Sequence, residues 1–171
     1  MACILTQGFT LDCKDSVGGI EKIYITELAN KATISATGDI TVFTLASSKQ
    51  FFEYDMREET GSFTEAINAS NTAGTLFFEQ TVVISMDPRN SSRVSEVLLL
   101  AKNDVMVIVK DGNGVYWLVG ETSGAYVSAG SILTGMAKGD KSGFDITLMA
   151  KEKIPAREVA SSLIASLTTP A

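Results

Sequence analysis

Histidine is absent from the 171 residues, and with it the commonest general base and metal ligand. Ser-His-Asp and Cys-His arrangements are therefore excluded. Only two cysteines occur, Cys3 and Cys13, too few for a disulfide framework in a chain of this length. They read as two reduced thiols in small buried positions or as a single staple across the N-terminal segment. Charged residues make up only 20%, and Lys and Arg do not cluster. The formal net charge is −6. An acidic chain without a basic cluster is a poor candidate for gripping nucleic acid, because phosphate contacts need Lys or Arg. It remains suited to lining a passage that nucleic acid slides through. No apolar run reaches the eighteen or so residues that a membrane span needs. The opening MACILTQGFTLDCK has neither a basic first region nor a sufficient apolar run for a signal peptide, so a soluble protein made in the cytoplasm is expected.

What is present is a chain of β-branched and aromatic residues with regularly spaced turns. Hydrophobic residues make up 45%, enough for one domain with a real core. Strand signals begin at Ile20–Leu28 and continue through Lys31–Ala36 and Ile40–Leu45. The last carries apolar or Thr residues on both faces, which predicts a place in the middle of a sheet. One helix is expected after residue 86. Asp87 or Ser92 can cap it, Pro88 suits a first helical position, and Val94, Val97, Leu98 and Ala101 recur at helical spacing, with Leu99 and Leu100 widening the stripe. Val105–Lys110, the turn Asp111-Gly112-Asn113-Gly114 and Val115–Val119 predict a hairpin covered on both faces, with Trp117 in the core. Two short pieces, Tyr126–Ser128 and Ile132-Leu133, precede a flexible loop over 135–143. The last strand, Phe144–Ala150, alternates well. The fold class is mainly β with one core helix and a possible second helix in the C-terminal tail, as a single domain over 1–171.

The stretch over 51–86 organises the rest. Two aromatic-rich arms flank a polar centre of small residues, with Ser62–Ala69 as a candidate helical turn and Asn68–Gly74 as a mobile tip. The arms supply Phe51, Phe52, Tyr54 and Met56 on one side and Leu76, Phe77 and Phe78 on the other, with Phe63 between them. These bulky ends on a long extension predict an arm that finishes its packing on a neighbouring subunit. In the tail, Val159, Leu163, Ile164 and Leu167 fall on one helical stripe. So short a helix needs something to dock on, either its own domain or a neighbour.

No motif carries chemistry. Glu58-Glu59, and Asp12 with Asp15, read as solvated carboxylates without a partner base. The turn at Asp111 has Thr122 where a calcium loop needs its twelfth-position Glu, and strands rather than helices flank it. The Lys141-Ser142 pair leads into a strand, whereas a phosphate-binding loop needs a helix N-terminus there. Catalytic, cofactor-binding and metal-ligating residues are therefore expected to be absent.

Three features together carry a family resemblance. They are one helix between two β segments, the long arm before it, and the closing Gly-Asp-Lys-Ser-Gly-Phe-Asp-Ile-Thr-Leu at 139–148. This order resembles the tail-tube fold of bacteriophages and related contractile machines over residues 10–150. Asp12-Cys13-Lys14-Asp15-Ser16-Val17-Gly18-Gly19-Ile20 is also similar to small virion proteins of phages that infect Bacteroidetes, including the crAss-like group. The tail after Ile154 lies outside the shared pattern. The resemblance implies a two-sheet sandwich or barrel whose inner sheet lines a channel and whose arm contacts the adjacent ring or subunit. It implies a virion structural protein of a tail or head–tail connector, forming a cyclic homo-oligomer of six or twelve copies. Its partners would be itself and adjacent virion ring proteins, with DNA only in transit, no membrane and no cofactor. A second reading is a receptor- or carbohydrate-binding β-sandwich module, which would expose Tyr116, Trp117 or Tyr126 over a polar groove. A third, an enzyme, lacks a credible nucleophile or base.

Overall fold

A computed structural model describes residues 8–10, 14–36 and 38–169. Cys3, Asp12 and Cys13 fall outside these, so the staple and the first two residues of the opening motif lie outside the described residues. In chain order the elements begin with β1 (Ile20–Glu27), a short 3-10 turn, β2 (Lys31–Ala36) and β3 (Ile40–Leu45). They continue with β4 (Phe52–Asp55), β5 (Ser62–Ser70), β6 (Thr75–Met86) and helix α1 (Ser91–Lys102). Then come β7 (Val105–Asp111), β8 (Tyr116–Val119), β9 (Tyr126–Leu133), β10 (Gly143–Glu152), β11 (Arg157–Glu158) and helix α2 (Ser161–Thr168). The chain is mainly β, as expected, with several antiparallel sheets and two helices.

Two sheets stack face to face. One has five strands in the order β11-β8-β7-β1-β4, the other four in the order β5-β6-β10-β9. Ile23 and Ile25 of β1 and Val105, Val107 and Val109 of β7 meet Val82 and Ile84 of β6 and Phe144, Ile146 and Leu148 of β10. This is period-2 alternation at work: the even residues of β10 enter the core while Asp145, Thr147 and Lys151 point away. The five-stranded sheet is also covered on its other face. Tyr24, Met106, Ile108 and Leu118 there pack under Ile40, Phe43, Phe51, Val159, Ile164 and Leu167. Burial on both faces explains why β7 reads as an unbroken apolar run, the pattern usual for doubly covered strands.

Several expectations need correction. Ile40–Leu45 does not lie in the middle of a sheet. β3 pairs with β2 in a separate two-stranded ribbon, with one further bridge from Ile40 to Val159, and its apolar residues serve packing on the five-stranded sheet. Val42 is correspondingly exposed, while Phe43 meets Phe51 edge-on at 5.5 Å between centroids. Ser62–Ala69 is not a helical turn but part of β5, paired with β6 from Ser62↔Val83 to Ser70↔Thr75. Phe63, Glu65 and Ile67 share one face of β5, so the period-2 pattern prevails over the three-and-four spacing of Phe63, Ala66 and Ile67. The loop that closes this hairpin is only residues 71–74, with Gly74 at φ 64°. Helix α1 is capped by Asn90, whose side-chain oxygen accepts from Arg93 N at 2.8 Å, rather than by Asp87 or Ser92. Its buried stripe runs through Val94, Val97 and Leu100, which leaves Leu98, Leu99 and Ala101 exposed. β9 is continuous where two short pieces were expected. Trp117 is half-buried rather than core.

Candidate assembly surfaces

The arm over 51–86 divides between the two sheets. Phe51 is 1% exposed and belongs to the chain's own second core. β4, which follows it, pairs with β1 at one edge of the five-stranded sheet through Ile23↔Tyr54 and Ile25↔Phe52. β5 and β6 form the hairpin at the far side of the four-stranded sheet. Of the contact residues expected from sequence, Phe52 is 54% and Leu76 55% exposed. Tyr54, Met56, Phe63, Phe77 and Phe78 are half-buried. The chain therefore leaves part of this aromatic set uncovered but takes Phe51 inside.

Strand β10 stops pairing at Glu152↔Phe78, whereas β6 starts at Thr75. The hairpin thus runs about 10 Å past its neighbour, three residues at strand rise. Ile67, 70% exposed, Leu76 and Phe78 lie on the hairpin's inward face, in line with Val82 but beyond the reach of the first sheet. On the opposite face Lys151 sits 5.9 Å from the Phe77 ring centroid and 3.5 Å from Glu79. Ile67 is not among the contact residues expected from sequence, because a helical reading of β5 puts it beside Phe63 and hides its alignment with Phe78.

A buried polar link anchors the hairpin base. Gln80 accepts from Gly120 N at 3.1 Å and donates to Glu65 Oε1 at 2.9 Å. Glu65 also accepts from Ala156 N at 2.8 Å. Glu152, buried beside it, accepts from Thr122 N and Ser123 N at 2.9 and 2.8 Å. These carboxylates read in the sequence as ordinary strand residues; nothing in their spacing marks them as an interlayer anchor.

On the other side of the molecule α1 runs beside β4. Between them lie two adjoining cavities of about 410 and 240 Å³ that share Tyr54, Glu96 and Leu100. Phe52 and Leu99, the latter 53% exposed, stand at the first. The Tyr54 hydroxyl donates to Glu96 at 3.3 Å. Burial first, and then the Glu96 carboxylate, push its phenol up to about 12, so it stays a neutral donor at any physiological pH.

The tail residues dock on their own domain. Val159, Ile164 and Leu167 are buried and Leu163 half-buried. Leu167 O accepts from Phe51 N at 2.8 Å, and Val159 makes a parallel bridge to Ile40.

The chemical candidates resolve into structure. Asp111 accepts from Asn113 N and Val115 N, both at 2.9 Å, and from Trp117 Nε1 at 3.1 Å, as a hairpin turn requires. Asp140 accepts from Met136 N and Ala137 N within the 135–143 loop, which runs into β10. Glu58 and Glu59 are exposed. Among the described residues no group of three His, Cys, Asp or Glu is placed to hold a metal, and no helix is long and apolar enough to cross a membrane. Of the aromatics that a binding module would display, Tyr126 is exposed, Tyr116 leans against Tyr24 at 6.3 Å, and the Trp117 ring N–H is taken by Asp111.

Compared with known families, curated proteins and solved structures, the chain matches none.

Proposed function

We propose that the protein is a structural subunit that assembles with copies of itself into a ring or tube of a phage tail or head–tail connector, through which DNA passes without being held. The observation that carries the assembly is the pair of open edges on the four-stranded sheet. β9 forms one edge, eight residues without a charge or a proline and exposed at nearly every position, with a bulge at Ser128 and α1 against part of it. β5 forms the other, nine residues long, and its one charged residue, Glu65, is turned inward and occupied. Folded proteins ordinarily blunt such edges with lysine, proline, bulges or a covering element, because unpaired N–H and C=O groups template further pairing. Beyond the bulge at Ser128, exposed strand length at both ends of one sheet suits β9 of one copy pairing with β5 of the next. That contact is heterologous and closes into a ring when the rotation allows.

The outward face of this sheet supports passage rather than grip. Glu79 and Lys151 pair there, as do Asp145 and Lys141, so the charges are mixed in sign. Tight binding of DNA would need a run of uncompensated cations. The virion setting rests on the resemblance of residues 10–150 to tail-tube proteins.

Sedimentation velocity and electron micrographs of the purified protein test this reading. The expected result is rings or tubes. Ala129→Lys combined with Ser131→Lys, which places two cations on exposed positions of β9, is expected to abolish the rings and tubes with an unchanged fold. A monodisperse monomer of the unaltered protein at the highest attainable concentration overturns it.

A further inference from the structure

We infer that the projecting tip of the β5–β6 hairpin docks in the trough between α1 and β4 of a second copy of this chain, a contact separate from sheet-edge pairing. The inference rests on the assembly reading above and names a second surface for it.

One chain cannot satisfy its own trough. The base of the hairpin is tied through Gln80 to Gly120, at the end of β8, and through Glu65 to Ala156, just before β11. β11 and β4 are the opposite edges of the five-stranded sheet. Four strand spacings, about 19 Å, separate those edges, and the hairpin is anchored at one of them while the trough opens at the other. A knob on one side and a hollow on the other make a heterologous pair, which only another copy can complete.

The chemistry of the two surfaces matches. From Ala66 to Phe78 the hairpin carries no charged residue, and Ile67, Leu76 and Phe78 present an apolar surface. Lys151, on the opposite face, is paired with Glu79, whereas the exposed Lys153 follows just past the end of β10 and flanks the tip with a cation. The trough is apolar, with Leu100 at its floor and Phe52 and Leu99 at its mouth. Its walls carry the carboxylates of Glu27, Glu53, Asp55, Asp87 and Glu96 with the cations Lys49 and Arg93; Lys22 pairs with Glu53 and Asp55 and Arg57 with Asp87, which among the described residues leaves Glu27 and Glu96 outside an ion pair. Of those cations, Arg93 is engaged with the backbone carbonyls of Asp87 and Pro88. An apolar knob flanked by Lys153 thus faces an apolar hollow whose rim carries Glu27 and Glu96. Such complementarity fixes partner and orientation, while the apolar centre supplies the affinity. The combined hollow of the two adjoining cavities, about 410 and 240 Å³, has room for several side chains.

The test separates this contact from edge pairing by working in the Ala129→Lys/Ser131→Lys background, where the β9 edge is blocked. Two variants are made there: a tip variant with Ile67→Asp and Leu76→Asp, and a trough variant with Phe52→Asp and Leu99→Asp. All four side chains are more than half exposed, so circular dichroism and melting should match the parent; Met136→Asp, at another exposed apolar side chain, serves as a control. Each variant alone is expected to self-associate at least roughly tenfold more weakly than the edge-blocked parent, and Met136→Asp not at all more weakly. Mixed together, each variant supplies the surface that the other lacks. A fluorescent tip variant titrated with the trough variant is then expected to form a one-to-one complex that grows no further. If the unaltered protein assembles but the mixture does not pair, the tip–trough contact is wrong and the edge-pairing reading survives. If the unaltered protein stays monomeric at every concentration, both fall.

Discussion

The side-chain amide of Gln80 spans the gap between the two sheets, accepting the backbone N–H of Gly120 at 3.1 Å while 1% exposed. Gly120 sits at φ 72°, and a Cβ there would lie 2.6 Å from Ala125 N. The chain therefore turns tightly at this point and leaves that N–H without a strand partner. Gln80 satisfies it and passes the interaction on to Glu65 at 2.9 Å. Replacing Gln80 by Leu keeps similar bulk but strands the Gly120 donor in the interior. The expected cost is about 1–3 kcal/mol, the penalty for a buried group that loses its partner. Urea unfolding measures it, and a variant as stable as the parent would show that the link is dispensable.

Phe51 and Phe52 are neighbours in sequence with opposite duties. Phe51 packs edge-on against Phe43 in the second core, while Phe52 stands at the mouth of the trough. Phe51→Ala should cost about 3–5 kcal/mol, the range for a buried aromatic that leaves a cavity. Phe52→Ala should change the stability of the isolated chain by no more than about 0.5 kcal/mol and act on association instead. Equal destabilisation by the two would mean that the edge at β4 is packed differently.

How much of this was legible beforehand depends on whether the signal was local. β7, β8 and β10 were readable because apolar alternation and a glycine-containing turn are properties of neighbouring residues. The ribbon position of Ile40–Leu45 was not, since an apolar face looks the same whether it meets a sheet neighbour or the layer beneath. The hairpin was misread for a related reason: Phe63, Ala66 and Ile67 fit a helical stripe as well as a strand, and only pairing with Thr75–Met86 decides. The arm itself was seen, but its division between two sheets follows from β4 joining β1, a contact thirty or so residues apart in sequence. Gln80, Glu65 and Glu152 carry no sequence mark at all, because an interlayer hydrogen bond depends on which strands stack.

The C-terminal tail is a test of how far the second core depends on α2. The helix has eight residues, too few to persist without a surface to dock on. Leu167→Ala should cost about 2–5 kcal/mol. Hydrogen exchange gives the sharper reading, because Phe51 N donates to Leu167 O at 2.8 Å. The Phe51 amide is expected to lose protection together with α2, and by more than the amides of β7, if the tail opens as a local unit. Uniform loss across the chain would show instead that the tail unfolds only with everything else.

Asp111 offers a pH-dependent test with a built-in probe. Burial by itself would raise its pKa, but hydrogen bonds from Trp117 Nε1 and from the backbone of Val115 and Asn113 outweigh it and hold the carboxyl below its ordinary value. The ionised form is thus favoured more in the folded chain than in the unfolded one. Its contribution is fully present above the unfolded value of about 3.9 and is lost as the pH falls through the lower folded value, where the unfolded chain has already taken up the proton. Asp111→Asn removes the charge, and with it this dependence. The stability gap between parent and variant should therefore be widest above about pH 5 and shrink towards pH 3. Trp117 is the only tryptophan, so its fluorescence follows both unfolding and the state of this turn. A gap that stays constant over that interval would show that Asp111 makes these bonds equally well when protonated, and that the turn is held by backbone geometry alone.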